Sequence, residues 1–433
     1  MENTFQTNLE GLTDKESQFL SKMYNSKIMA KLILELKKPE EIFTDDELET
    51  YNKLLDNRKI IEKSRFKSHS FLIMKATRLC NLRCTYCHSW REGKGNTMPF
   101  EILAKTIRDV LSAKDVKRVD FIWHGGEVTL LKPSYIKKAL WLQSHFKQNG
   151  QIITNSIQTN ATNLSKEWLN LLYDFDFEVG VSIDGPKELH DRYRLKKNGT
   201  GSFDSVKTGI NKLREKGIPF GALAVINEDA LNIGAKDYLD FLISMDLDGV
   251  ALLNAIPEEY HPKEGESYLP WQRFVNFLHE MFKVWWDDYR NTINIRELNG
   301  LVENAKNKKP TVCEFAGDCM GQFLTIEPNG IVSACDKYIG DKTHQFGDLH
   351  TETLSELLKN SLNLDLAIDK ANKGVSKMTN CEYYKICRGG CPHDVQLNMQ
   401  NSEGWKGTCC GMKALMSEIQ AAVNKDVINY INL

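Results

Sequence analysis

Neither sign of charge is in surplus: 56 Lys and Arg stand against 58 Asp and Glu, a net charge of −2. A protein held to nucleic acid through its phosphates carries a basic excess, so no nucleic-acid partner is expected. Long apolar runs are missing as well. No uncharged stretch approaches the roughly 18 residues of a membrane helix, and Met1–Leu12 is polar and acidic, without a signal peptide's apolar segment. The expectation is a soluble, cytoplasmic protein with no membrane partner. Internal repeats and low-complexity tracts are absent. Cysteine is too scarce for a disulfide scaffold, which runs to about 8–10%. The 11 cysteines, closely spaced and in a reducing compartment, read as metal ligands.

The 433 residues, 41% of them hydrophobic, suffice for two or three domains. Residues 1–67 hold no cysteine and read as a small helical module. Thr44-Asp-Asp-Glu47 is a capping box, followed by Leu48, Tyr51, Leu54 and Leu55 at helical spacing. The module is either an extension packed on the main body or a docking element for a partner. From Ser70 the rhythm changes. Short β-branched and aromatic runs (Phe71–Met74, Val119–Trp123, Ile152–Ile157, Val179–Ile183, Phe220–Ile226, Val250–Leu253) alternate with amphipathic segments such as Leu103, Ile107, Val110 and Leu111. Six strand–helix alternations predict a parallel sheet curled into an open or closed barrel over residues 68–305, with chemistry at the carboxyl ends of its strands. Trp271–Tyr289 reads as an aromatic core helix and Lys306–Pro310 as a linker. In the last segment, 306–433, eight of the 11 cysteines lie between Cys313 and Cys410, around a hairpin in which Phe323–Glu327 and Ile331–Ala334 flank Pro328-Asn329-Gly330.

The first strand runs into Cys80-Asn-Leu-Arg-Cys84-Thr-Tyr-Cys87. Three thiolates this close in sequence can wrap one face of a cubane iron–sulfur cluster and leave one iron open to a substrate. A structural zinc site wants a fourth ligand, and His88, adjacent to Cys87, is poorly placed to supply it. At the end of the second strand, His124-Gly125-Gly126-Glu127 offers two glycines that let the backbone approach a ligand and a carboxylate that can accept from an ammonium. Further on stand Gln158-Thr159-Asn160, Ser182-Ile183-Asp184-Gly185-Pro186, His190-Asp191 and Arg194, where Ser182 offers a hydroxyl to a ribose and Arg194 a fork to a carboxylate.

These motifs resemble the radical S-adenosylmethionine enzymes, whose signature is CxxxCxΦC with an aromatic at Φ, here Tyr86. The resemblance implies a partial (β/α)6, TIM-like α/β barrel. It also implies a four-iron cluster on Cys80, Cys84 and Cys87 whose open iron chelates S-adenosylmethionine. One electron then cleaves the cofactor to methionine and a 5′-deoxyadenosyl radical. By the same resemblance Tyr86 contacts the adenine, Gly125, Gly126 and Glu127 receive the methionine amino group, and Ser182 and Arg194 hold the ribose and carboxylate. Asn160 lies near the substrate. Val128 departs from the proline usual after this Glu. The run from Ser182 to Gly201 resembles the anaerobic sulfatase-maturase branch.

The C-terminal cysteines, with Cys387-Arg-Gly-Gly-Cys391-Pro, resemble the twin-cluster SPASM domain. That pattern implies one auxiliary four-iron cluster on Cys313, Cys319, Cys335 and Cys391, and a second on Cys381, Cys387 and Cys409, making three clusters in all. Met378 stands where the family has another cysteine, so Cys410, a non-cysteine ligand, water or an open iron completes the second cluster. The Asp336 carboxylate next to Cys335 corresponds to the proposed general base of the maturases. The expected activity is oxidative hydrogen abstraction, at Cβ, from a residue of a ribosomally made precursor peptide, leaving a carbon–carbon (cyclophane-type) or thioether crosslink. The alternative is formylglycine formation on a sulfatase Cys or Ser, and a third reading, of another class, is a non-catalytic electron carrier. His88-Ser89-Trp90, Met378 and the N-terminal module depart from the maturases and favour the first reading. A flavodoxin- or ferredoxin-type reductant is the implied electron source.

Overall fold

A computed structural model describes residues 37–431 apart from 248, 259–261, 309, 311, 318, 403 and 404. Residues 1–36 of the N-terminal module thus lie outside the described residues. Six parallel strands form the barrel wall: β1 (His69–Thr77), β2 (Arg118–Gly125), β3 (Ile152–Thr159), β4 (Glu178–Ser182), β5 (Phe220–Ile226) and β6 (Gly249–Asn254). Helices Phe100–Leu111, Pro133–Phe146, Lys166–Asp174, Phe203–Lys216 and Ala235–Ser244 make the crossovers. Alternation along β2 sends Val119, Phe121 and Trp123 into the core and leaves His124 to line a cavity at the strand ends. All six expected strands are present to within a few residues of the expected bounds.

The sheet continues past the barrel on both sides. A two-residue strand, β7 (Asn294–Ile295), joins β6, and β8 (Phe323–Ile326) pairs parallel with β1. β9 (Ile331–Ser333) and β10 (Gln345–Asp348) follow antiparallel, so one ten-stranded sheet runs β10-β9-β8-β1-β2-β3-β4-β5-β6-β7. The expected hairpin is β8–β9, and it is part of the barrel's own sheet.

Thr44 caps helix Asp45–Asp56 as expected, with Thr44 N donating to Glu47 Oε2 at 2.9 Å. Phe43 and Tyr51 pack on Trp141 of helix Pro133–Phe146, at ring distances of 5.0 and 5.3 Å, and the Tyr51 hydroxyl meets His145 Nε2 at 2.8 Å. The described part of the module is therefore built into the body. Helix Trp271–Val284 buries Trp271, Phe274, Phe277 and Phe282 in the core.

The linker reading of Lys306–Pro310 needs correction. Helix Arg296–Asn307 continues through its first two residues because Leu298, Leu301, Val302 and Ala305 keep a buried stripe at helical spacing. It stops at Lys308, in left-handed conformation at φ +52°. Asn304 Nδ2 donates to the Ile386 carbonyl at 3.1 Å, tying this helix to the cysteine-rich segment.

Candidate active site

At the carboxyl ends of the strands lies a cavity of about 280 Å³. Cys80, Cys84 and Cys87 line it, together with Tyr86, Gly125, Gly126, Glu127, Asn160, Ser182, Arg194 and Asp336. Residues spread over more than 250 positions thus meet in one space, as a parallel barrel dictates. Burial pushes the Cys80 thiol up to about 11 and Cys84 to about 12. These thiols hold their protons until a cation or cluster displaces them.

Glu127 is buried. Its Oε1 accepts from Thr129 N (3.1 Å), Thr129 Oγ1 (2.7 Å) and Thr159 Oγ1 (2.7 Å), while Oε2 accepts from Asn160 N at 2.7 Å. Burial nevertheless raises its pKa, so an arriving cation would find a carboxylate short of a counter-charge. Asn160 is tied to the cysteine loop: its Nδ2 donates to Asn81 Oδ1 at 2.9 Å and lies 3.9 Å from Cys80 Sγ. Ser182 Oγ accepts from Gln158 Nε2 at 2.9 Å.

Two expected contacts take a different form. The glycines of the Gly-Gly-Glu turn are expected to make room for a ligand, but the closest approach at both is the chain's own backbone. A Cβ at Gly126 would lie 2.0 Å from the Leu79 carbonyl oxygen, and one at Gly125 (φ +137°) 2.5 Å from that of Thr77. Gly126 N donates to the Thr77 carbonyl and Glu127 N to that of Leu79, both at 2.7 Å, so the glycines lock the end of β2 onto the cysteine loop. The Arg194 fork is already taken. Its Nε and Nη2 donate to the two oxygens of Asp184 at 2.9 and 3.0 Å, and the Tyr86 hydroxyl also donates to Asp184. Asp184, fully buried and also accepting from Val225 N at 3.1 Å, organises this side of the cavity. Only its place after Ser182 at a strand end hints at that role.

On the opposite wall the Asp336 carboxylate sits between two bases. Lys75 Nζ lies 2.5 Å from Oδ1 and His124 Nε2 3.0 Å from Oδ2. Burial opposes ionisation, but the fully buried Lys75 and the neighbouring His124 hold the carboxyl well below the usual range. Burial and Lys75 lower His124, leaving a neutral imidazole at the cavity edge. Strand periodicity gives no sign of Lys75, an inward-facing lysine in β1.

The remaining cysteines form two groups. Cys319 and Cys391 act on Cys335, and Cys391 on Cys313. Lys337, paired with the buried Asp394 at 2.8 Å, adds a partly buried positive charge beside Cys391. The second group holds Cys381, Cys387, Cys409 and Cys410, with Cys387 Sγ and Cys410 Sγ 3.6 Å apart.

The residues present fit a cluster with a bound organic cofactor. Three thiols share a cavity with a buried carboxylate, and Asn254 Nδ2, buried at the end of β6 and lining the same space, has no hydrogen-bond partner among the described residues. A partial barrel with this site is that of a radical enzyme. The pattern of the radical SAM superfamily matches residues 74–230 and that of an iron–sulfur cluster-binding (SPASM) domain residues 296–392. A serine-type anaerobic sulfatase-maturating enzyme from Bacteroides thetaiotaomicron is 30% identical over 337 residues, 72% of this chain and 80% of the relative. A cysteine-type enzyme from Clostridium novyi is 29% identical over 360 residues, 81% and 95% of the two chains. The solved structure of native anSMEcpe with bound AdoMet superposes with a TM-score of 0.71 at 25% identity, covering 84% of this chain and 99% of that one. The chain belongs to the radical SAM enzymes with a SPASM domain, in the family of the anaerobic sulfatase-maturating enzymes. Among the described residues no helix is long and apolar enough to cross a membrane.

Proposed function

We propose that this enzyme oxidises the side chain of a cysteine or serine in a sulfatase-type protein to the aldehyde of formylglycine. The observation that carries the reading is a likeness to the maturases that spans both the barrel and the cysteine-rich segment. Peptide crosslinking, the activity favoured from sequence, becomes the second reading. What supports it is that His88, Ser89 and Trp90, the triplet that departs from the maturases, line the cavity.

Cys80, Cys84 and Cys87 would hold the barrel cluster, and Glu127, Ser182, Arg194 and Asn254 the S-adenosylmethionine. When bound, these groups would supply radical chemistry for hydrogen abstraction, and clusters in the C-terminal segment would offer an acceptor for the second electron. The protein's part is placement and proton transfer. Arg194, neutralised by Asp184, keeps its remaining N–H groups for a carboxylate without carrying an uncompensated buried charge. Once a hydrogen atom has left Cβ, the substrate must lose one more electron and the proton of its thiol or hydroxyl. Serine then carries the aldehyde directly, while cysteine carries a thioaldehyde that water hydrolyses to the aldehyde with release of hydrogen sulfide. The thiol or hydroxyl proton goes to the Asp336–His124 pair. The ionised carboxylate holds the imidazole in place, and Lys75 keeps that carboxylate charged inside the protein.

The test is an anaerobic incubation of the reduced enzyme with S-adenosylmethionine and a short sulfatase peptide carrying Cys or Ser. A mass loss of about 18 Da from Cys or about 2 Da from Ser, with new reactivity toward a hydrazide, supports the reading. Cofactor cleavage without any aldehyde, on either peptide, overturns it in favour of crosslinking.

A further inference from the structure

We infer that Cys410 supplies the ligand missing at Met378, so that Cys381, Cys387, Cys409 and Cys410 together hold a four-iron cluster with a cysteine at every iron. This deepens the reading of the C-terminal segment as an iron–sulfur domain and rests on it. The identity of the substrate does not enter.

Met378 ends a short turn, Ser376–Met378, and is 1% exposed. Its sulfur is packed toward Gly389, where an added Cβ would come within 3.2 Å of it and within 2.7 Å of Val375. The thioether fills core beside this loop, and the Met378 carbonyl accepts from Cys381 N at 2.9 Å. Cys410 occupies the opposite position. Its sulfur lies 3.6 Å from Cys387 Sγ, and Cys409 bonds to both Cys410 and Cys381, which makes the four thiols one contiguous set.

Two adjacent cysteines reach one centre only if the chain turns sharply, since consecutive side chains of an extended strand diverge. The turn is built. Gly411 has φ +88°, and the Cys410 carbonyl accepts from Trp271 Nε1 at 2.7 Å, anchoring the pair to the buried start of helix Trp271–Val284. The amides of Gly411 and Lys413 donate to Cys409 Sγ and that of Met412 to Cys410 Sγ, at the start of helix Lys413–Ile431. Among the described residues no three Cys, His, Asp or Glu side chains meet closely enough to hold a single ion. With all four irons ligated, this cluster has no vacancy for substrate and serves electron transfer.

The test compares full-length, anaerobically reconstituted wild type with Cys410→Ala, Met378→Ala and the double variant Met378→Cys/Cys410→Ala, reading iron, sulfide, zinc and electron paramagnetic resonance. Wild type should hold about 12 iron per chain as three four-iron clusters, and Cys410→Ala should lose about four or show an oxidised three-iron signal. Met378→Ala should match wild type, and the double variant should restore the count. Wild-type iron and spectrum in Cys410→Ala overturn the inference, as does zinc in place of the third cluster. Should Cys410→Ala lose all its iron, the double variant decides: recovery supports the assignment and no recovery refutes it. Formylglycine is not read here, so failure of this assignment and failure of the proposed function are separate results.

Discussion

The barrel mouth and the C-terminal lobe both gather cysteines, but they surround them differently. The three barrel thiols open onto a cavity of about 280 Å³ that also holds a carboxylate, a guanidinium and an unpartnered amide, the fittings for an organic ligand. The four thiols around Cys410 touch one another, flanked by backbone amides and by Met378 and Trp271. On the ligation proposed, one site would expose an iron and the other would enclose its cluster. Cysteine count alone cannot separate these cases; the polar groups facing the sulfurs do.

The sharpest way to break this comparison is to remove one thiol from each region. Cys84→Ala should abolish S-adenosylmethionine cleavage, to below about one thousandth of wild type, because the cofactor loses the centre that reduces it. Cys387→Ala should retain cleavage while product formation falls at least tenfold. Both are read by chromatography of 5′-deoxyadenosine beside mass spectrometry of the peptide. Equal loss of cleavage in the two variants would show that the regions do not divide the work.

A smaller effect tests the wall between the regions. Asp336→Asn keeps the shape of the side chain but removes the charge that Lys75 and His124 share. Loss of a proton acceptor costs about 10²-fold in general acid–base catalysis. Product per 5′-deoxyadenosine should therefore drop by about that factor while the cofactor is still turned over. A ratio unchanged from wild type would remove the Asp336–His124 pair from the chemistry.

Much of the barrel and its site is legible in the sequence. The six strands stand out because buried parallel strands are short apolar runs, and Cys80, Cys84, Cys87 and the Gly-Gly-Glu turn fall at strand ends, where a barrel puts its site. What the sequence hides depends on pairing between distant segments. Asp184 meets a tyrosine 98 positions away, and β8 joins β1 across some 250 residues, with no local signal for either. Lys75 is hidden by its own strand, since a lysine facing inward is visible only once Asp336 is known to face it. The basic Lys306–Pro310 suggests a linker because Lys306 and Lys308 are exposed, while the stripe that keeps the helix going lies upstream at Leu298–Ala305.

The smallest predicted effect sharpens the barrel side of the comparison. His190 is fully buried behind Arg194 and Asp184, its Nε2 3.0 Å from Ser202 Oγ, and burial together with the Arg194 charge lowers its pKa to about 4. A histidine that is neutral when folded and titrates near 6.5 when unfolded binds fewer protons in the native state, so stability is complete above about pH 6.5 and declines as pH falls toward 4. Between about pH 7.5 and 5 this one group should cost about 2 kcal/mol. Replacing it in His190→Gln should flatten the acid limb of unfolding by that amount, followed by denaturant titration under anaerobic conditions. An acid limb in His190→Gln that matches wild type would remove this histidine from the pH sensitivity of the barrel mouth.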